Sequence, residues 1–332
     1  RPAKEITFYK RNFLTVGGKA TNMNTPYQKI FVAGGDGFVG RNVVEKLKEK
    51  KLAFSSFSLD DGYDFRDLGQ TKALLEKEKP DAVINCAAFV GGIQFGLEHP
   101  GEIFFNNILM AASLMEASRL AGVKRFVNPI SNCTYPAHLT NFREEDWWSG
   151  PLHESVLAYG MARKASWVQG WAYKQQYDFD SVHLILPNMY GPRDHFDEIR
   201  SHALGALVMK FVEAKRRAAP AVTVWGTGKP IREWLYVEDG AEALIRALDI
   251  EMSVDPVNIG VGKGISIAEL AQLIKEATGY EGKISFDASR PDGAPCKIQD
   301  TTKMKQLLHW APQTDLQGGI QKTVTWYEKH RN

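Results

Sequence analysis

Cysteine is scarce in this chain. Three residues, Cys86, Cys133 and Cys296, are scattered through 332 positions. That is too few and too dispersed for a disulfide framework or a zinc site. No metal centre is expected, and a reducing, cytoplasmic setting is the simplest reading. Long apolar runs are missing too: none approaches the roughly 20 residues that span a bilayer, so no membrane partner is expected. Nor is one sign of charge in excess. The 41 Lys and Arg nearly balance 39 Asp and Glu, a net charge of +2. This excludes the broad basic footprint of a nucleic-acid binder, while local cations remain available to grip a phosphorylated small ligand. Internal repeats and low-complexity tracts are likewise absent from the sequence.

What is present is an ordinary globular balance, 44% hydrophobic and 24% charged, in a chain long enough for one large or two unequal domains. Residues 1–22 carry five Lys or Arg against one Glu and show no helical period. Met23 is a candidate initiator, which would make the preceding stretch a tag remnant; a processed targeting segment is the rival. From Lys29 the pattern alternates. Short apolar runs at Lys29–Ala33, Ala53–Leu59, Ala82–Cys86, Arg125–Ile130 and Ser181–Leu186 predict strands. Between them, Val39–Lys51, Gln70–Lys79, Ile103–Ala121 and Val156–Gln176 have helical spacing. This rhythm predicts an α/β fold with a Rossmann-type, doubly wound parallel sheet. After Pro187 the pieces shorten: helices at Ala203–Arg216, Ser266–Gly279 and Gly318–His330, strands at Val222–Trp225 and Lys283–Asp287, and between them Trp234–Val237 leading into Gly240–Asp249, which resembles a return to the main sheet. They predict a smaller C-terminal α/β substrate domain.

Between the first strand and first helix lies Gly34-Gly35-Asp36-Gly37-Phe38-Val39-Gly40, a G-x-x-G-x-x-G turn. Gly34 permits the tight turn, Gly37 lets the backbone approach a pyrophosphate, and Gly40 permits close helix–strand packing. The helix N-terminus then offers free N–H groups to phosphates. Asp60 and Asp61 follow the second strand, where a carboxylate accepts from ribose hydroxyls and repels a 2′-phosphate. With Asp36 they favour NAD(H) by local electrostatics; as solvated turn acids they would leave NADP(H) open. Asp67 is a candidate adenine contact.

Six further segments are more specific: AAFVGGI (Ala87–Ile93), SNCTYP (Ser131–Pro136), LPNMYGPRDHF (Leu186–Phe196), SHALGAL (Ser201–Leu207), VWGTGKPIREWLYVED (Val224–Asp239) and FDASRPDGAPCK (Phe286–Lys297). In these the chain resembles the extended short-chain dehydrogenases/reductases, and within them the GDP-L-fucose synthase subfamily. The resemblance runs from about Lys29 to the C-terminus. It implies a homodimeric enzyme that binds NADP(H) or NAD(H) and a GDP-sugar. It implies an N-terminal extension over 1–28, an NAD(P)-binding domain over 29–187 plus about 234–255, and a GDP-sugar domain over 188–233 plus about 256–332.

The chemistry of such an enzyme accounts for particular residues. In a 4-keto sugar the protons on carbons 3 and 5 are acidic, because the enolate spreads charge onto the keto oxygen. Inverting those centres needs a base and an acid on opposite faces. Cys133 serves as the base if a positive neighbour lowers its pKa, and His202 delivers the proton. Tyr159 then protonates the carbon-4 oxygen as hydride arrives, with Ser131 bonded to the same oxygen. By the same resemblance Ala87 and Ala88 line the cofactor, Asn188 lies near the sugar, and Lys210, Trp225, Arg232, Asp292 and Lys297 hold the guanosine diphosphate. Taken singly, a Cys at a strand end is usually a small buried hydrophobe and a Tyr on a helix is usually core. Taken together, at the positions the resemblance assigns them, Ser131, Cys133, Tyr159 and His202 support the chemical reading.

One position departs from the family. The Y-x-x-x-K pattern places a lysine one helical turn after the tyrosine, where it holds the nicotinamide ribose. Here that place is Arg163, and Lys164 comes one residue late, about 100° further around the helix. Either Arg163 substitutes or a helix irregularity brings Lys164 round. Three functions are therefore expected to compete: a 3,5-epimerase/4-reductase forming GDP-L-fucose, a related enzyme on another GDP-sugar such as a 6-deoxy-heptose with one of the two activities, and a catalytically quiet nucleotide-sugar sensor.

Overall fold

The computed structural model describes residues 26–197, 201–250, 255–290 and 292–331. Most of the expected N-terminal extension, with Met23, lies outside the described residues. β1 (Ile30–Ala33) leads through the glycine turn into α1 (Phe38–Glu49), followed by β2 (Phe54–Phe57), α2 (Leu68–Glu78) and β3 (Ala82–Asn85). A short α3 (Ile93–Glu98) and a long α4 (Pro100–Leu120) precede β4 (Arg125–Ser131). Then come β5 (Asn141–Phe142), α5 (Leu157–Tyr177) and β6 (Ser181–Leu186). Beyond Pro187 lie β7 (Asn188–Tyr190), α6 (Ala203–Arg216), β8 (Ala221–Trp225), β9 (Ile231–Tyr236), α7 (Val237–Arg246) and β10 (Val257–Asn258). The chain ends with β11 (Gly264–Ser266), α8 (Ile267–Thr278), β12 (Lys283–Asp287), β13 (Cys296–Gln299), α9 (Thr302–Leu308) and α10 (Leu316–His330).

Six parallel strands in the order β10-β6-β4-β3-β1-β2 form the main sheet. The continuous apolar runs follow from its double cover. Val43 and Leu47 of α1 and Leu244 of α7 bury one face of β1; Leu74 and Leu75 of α2 and Leu114 and Met115 of α4 bury the other. Each such side chain contributes about 1.5–3 kcal/mol of burial. Strand order reverses between β1 and β3, so the loops after these strands flank a crevice at their carboxyl ends.

A second core gathers Leu204, Val208 and Phe211 of α6, Leu270 and Ile274 of α8, and Ile320 and Val324 of α10. Its helices are well defined by local signals. Ser266 and Glu269 form a reciprocal capping box at α8, and Asp315 accepts from Gly318 N–H at α10. β9 is the bridge, pairing with β7, β11 and β13. The return to the main sheet expected over Gly240–Asp249 is made by α7, a helix that starts at Val237 directly after β9 ends at Tyr236. After Pro187 the chain returns to the main core twice, through α7 and again through β10 and α9, whose Met304 and Leu308 are buried there.

Candidate active site

The glycine turn is sterically committed. Gly34 has φ +74°, and a Cβ there would lie 2.8 Å from the Cα of Ala87. A Cβ on Gly40 would lie 2.1 Å from the Gly34 carbonyl oxygen. Phe38 and Val39 open α1, half-buried, and Gly37 at the N-cap contributes no side-chain cap, so the first N–H groups stay available to an anion. Ala87 is buried and Ala88 exposed, at the rim opposite the turn. Asp36 accepts from the Ser58 hydroxyl at the end of β2. Asp60 is exposed in the 3₁₀ turn that follows. Asp67, the candidate adenine contact, accepts from Gln70 N–H as the N-cap of α2.

α5 brings the departure from the family pattern into this crevice. It is regular α-helix through residues 163 and 164, so the alternative of a local irregularity does not hold. Arg163 lies one turn beyond Tyr159, with its guanidinium carbon 5.3 Å from the tyrosine ring centre. Its Nη2 donates to Ala87 O and Asn107 Oδ1, each at 3.4 Å, while its buried Nε has no partner. An orphaned, buried guanidinium N–H beside the glycine turn fits a cofactor ribose. Lys164 points elsewhere. Its ammonium donates to the carbonyls of Trp147 (2.5 Å) and Thr134 (3.3 Å) and sits over the Trp147 and Trp148 rings. Burial pushes it down to about 8.

Ser131 ends β4, and the next residues form a 3₁₀ turn that carries Cys133. The Ser131 hydroxyl oxygen accepts from Cys133 N–H at 3.2 Å, and Thr134 Oγ1 donates to Ser131 O at 2.7 Å. The helix bearing Tyr159 presses on this turn: a Cβ on Gly160 would be 2.8 Å from Cys133 O. α5, which carries Tyr159 and Arg163, thus packs against the turn that carries Cys133.

On the other side, Cys133 shares a small cleft with His153, Ala294 and Lys297. Lys297 is the register partner of Arg232. Burial lowers the pKa of Arg232, and the neighbouring Cys296, Cys133 and Asp292 act in the opposite direction. The guanidinium therefore lies close enough to Cys133 for the two to interact electrostatically. Its Nη2 donates to Asp292 O, and the Asp292 carboxylate accepts from Thr227 N–H and Oγ1. Lys210 and Arg290 both stand 5.0 Å from the exposed Trp225 ring centre. Asn188 donates to Glu233 O beside β9. His202 is the N-cap residue of α6, with a buried, unpartnered Nδ1; burial and the nearby His195 lower its pKa.

Sequence reasoning missed Asn107, which holds the Ala87 loop through Phe89 N–H and O while accepting from Arg163. A buried Asn in an apolar helix was its signal. It also missed Arg290 and His153, whose places depend on long-range packing.

The model of the NAD dependent epimerase/dehydratase family matches residues 30–260. The chain belongs to this family. It is 35% identical to GDP-L-fucose synthase 1 of Arabidopsis thaliana over 95% of this chain and 98% of that protein. A GDP-6-OMe-4-keto-L-xylo-heptose reductase from C. jejuni superposes with a TM-score of 0.85 at 25% identity, covering 95% of this chain and 100% of that one. A GDP-L-fucose synthetase from Naegleria fowleri bound to NADP gives 0.85 at 28% identity over 92% and 94% of the two chains. The resemblance read from the motifs therefore extends over nearly the whole chain. The protein is a nucleotide-sugar epimerase/reductase of the extended short-chain dehydrogenase/reductase type, with a Rossmann-type fold and a nicotinamide dinucleotide cofactor. Among the described residues no helix is long and apolar enough to cross a membrane.

Proposed function

We propose that this enzyme inverts carbons 3 and 5 and reduces carbon 4 of a GDP-4-keto-6-deoxy-hexose, forming GDP-L-fucose. The observation that carries the reading is the double-sided turn at 131–134, with α5, the helix of Tyr159 and Arg163, packed against one side through Gly160 and Arg232 and Lys297 near Cys133 on the other. Cys133 as thiolate removes the proton next to the keto group, its charge supported by Arg232. His202, whose protonated form burial disfavours, returns a proton on the opposite face from its imidazolium and is left neutral. When bound, the reduced dinucleotide supplies hydride to carbon 4. Tyr159 donates its phenolic proton to the developing alkoxide, and Ser131 hydrogen-bonds the same oxygen.

The sugar nucleotide is held by Arg232 and Lys297 on the diphosphate, Trp225 against the base with Lys210 beside it, Asp292 closing over them and Asn188 at the sugar. In this reading residues 29–187 and 234–255 chiefly serve the cofactor and the remainder of the described chain the GDP-sugar. The exposed Phe104, Phe105, Val168 and Trp171 on α4 and α5 form the face of a cytoplasmic homodimer. The C. jejuni heptose reductase likeness favours a second reading, the same machinery on a GDP-heptose with one activity.

Incubation with GDP-4-keto-6-deoxy-mannose and reduced cofactor in deuterated water decides. Deuterium at both carbons with cofactor oxidation is expected, and Cys133→Ser should abolish the exchange while GDP-sugar binding survives. Exchange without oxidation points to an epimerase alone. Neither signal, with turnover of a GDP-4-keto-heptose instead, replaces the first reading by the second.

A further inference from the structure

We infer that the adenosine end of the cofactor site selects NAD(H) over NADP(H), and that the selecting carboxylate is Asp36, supplied by the glycine turn itself and braced by Ser58. The inference rests on the dinucleotide-binding reading of the turn and is independent of which sugar is processed.

β1 and β2 pair in parallel with Ala33 opposite Phe57, and Gly34 N–H donates to Phe57 O at 2.8 Å. The residues just past the two strands are therefore neighbours. In a Rossmann site this corner receives the adenosine ribose: an acid past the second strand accepts from the 2′-hydroxyl, whereas an arginine accommodates a 2′-phosphate. Here the strand-end position is Ser58, a buried side chain with a single hydroxyl proton. Its Oγ lies 2.5 Å from Asp36 Oδ2, the shorter contact, and 3.2 Å from Asp61 Oδ2, while Ser58 N–H donates to Asp61 Oδ2 at 2.8 Å. Ser58 thus holds the carboxylates of Asp36 and Asp61 together at the end of β2. Asp36 is exposed, and its Oδ1 has no hydrogen bond among the described residues, so it can accept a ribose hydroxyl.

The same arrangement rejects a phosphate. A phosphate monoester carries about −1.5 to −2 charge near neutrality. It would meet Asp36 and Asp61, with Asp60 exposed beside them. No Lys or Arg forms an ion pair with any of the three among the described residues, and Arg41 on α1, the basic residue nearest in sequence to the turn, is exposed. The preference is opposite to the cofactor seen in the Naegleria fowleri structure.

Titrating the full-length protein with NADH and with NADPH, read by energy transfer from its tryptophans, tests this without any sugar substrate. NADH should bind at least about tenfold more tightly, the scale expected from like charges meeting across a few ångströms. Asp36→Asn should narrow that ratio severalfold, and Asp36→Ser combined with Asp60→Lys should invert it. Wild-type protein that binds NADPH as tightly as NADH overturns the inference while leaving the family reading intact, and would mean that Arg41 swings onto the phosphate. A ratio unmoved by Asp36→Asn overturns the role of Asp36. Failure to bind either dinucleotide would instead strike the cofactor reading beneath it.

Discussion

Adjacent residues on α5 separate two duties, and substitution should pull those duties apart. Replacing Arg163 with Met removes a guanidinium whose two protein contacts are long, 3.4 Å each. Asn107 Oδ1 keeps its bond from Phe89 N–H at 3.1 Å, so that acceptor is not orphaned. Folding should therefore change little. What should be lost, if the proposed role of Arg163 holds, is a bond from its Nε–H to the cofactor ribose. A hydrogen bond from a charged donor is worth about 1.5–3 kcal/mol, or about 10- to 150-fold in hydride transfer. Lys164→Met should do the reverse. Its ammonium satisfies the carbonyls of Trp147 and Thr134, and each buried carbonyl left bare costs about 1–3 kcal/mol. For a domain of this size that lowers Tm by several degrees, at roughly 2–4 °C per kcal/mol. Single-turnover oxidation of reduced cofactor and thermal melts of both variants make the comparison. The reasoning fails if Arg163→Met transfers hydride at the wild-type rate, or if Lys164→Met loses transfer with an unchanged Tm.

Three further outcomes are expected. Gly40→Ala places a methyl 2.1 Å from the Gly34 oxygen; overpacking of this kind costs about 1–3 kcal/mol, and dinucleotide titration should show binding lost even where circular dichroism shows the fold retained. Burial lowers Lys164 from 10.5 to about 8, so the unfolded chain binds the extra proton between those values. Wild-type stability relative to Lys164→Met should accordingly rise as pH climbs from about 8 toward 10.5 and stay flat below 8, as chemical denaturation across that range would show. Phe105→Asp, on an exposed position of α4, should convert a dimer to monomer by light scattering; a wild-type monomer would refute the proposed interface.

The main sheet was legible because its strands are buried on both faces. Ile30–Ala33 and the run Ala82, Val83 and Ile84 are uninterrupted apolar stretches flanked by amphipathic helices, and such a pattern has few alternatives. The candidate site was legible where a motif binds a local geometry: the glycine turn, the Ser131–Cys133 turn, the placement of Tyr159. Other parts were not. β5, β10 and β11 are two or three residues long and exist only through their partners, so no period marks them. The choice between Arg163 and Lys164 depended on Trp147 and Trp148, which lie in a loop well before α5 and offer Lys164 an aromatic and carbonyl cage. The brace between Asp36 and Ser58 spans 22 residues and follows from strand register, which no single segment reveals.

Arg163 also bears on how the enzyme meets alkaline conditions. A lysine in that place, desolvated beside the cofactor, could release its proton and take its charge with it. Guanidinium does not deprotonate in proteins. The positive field over the Tyr159 ring, 5.3 Å away, is thus a permanent fixture of the fold rather than a titrating one. The substitution exchanges an adjustable charge for a constant one.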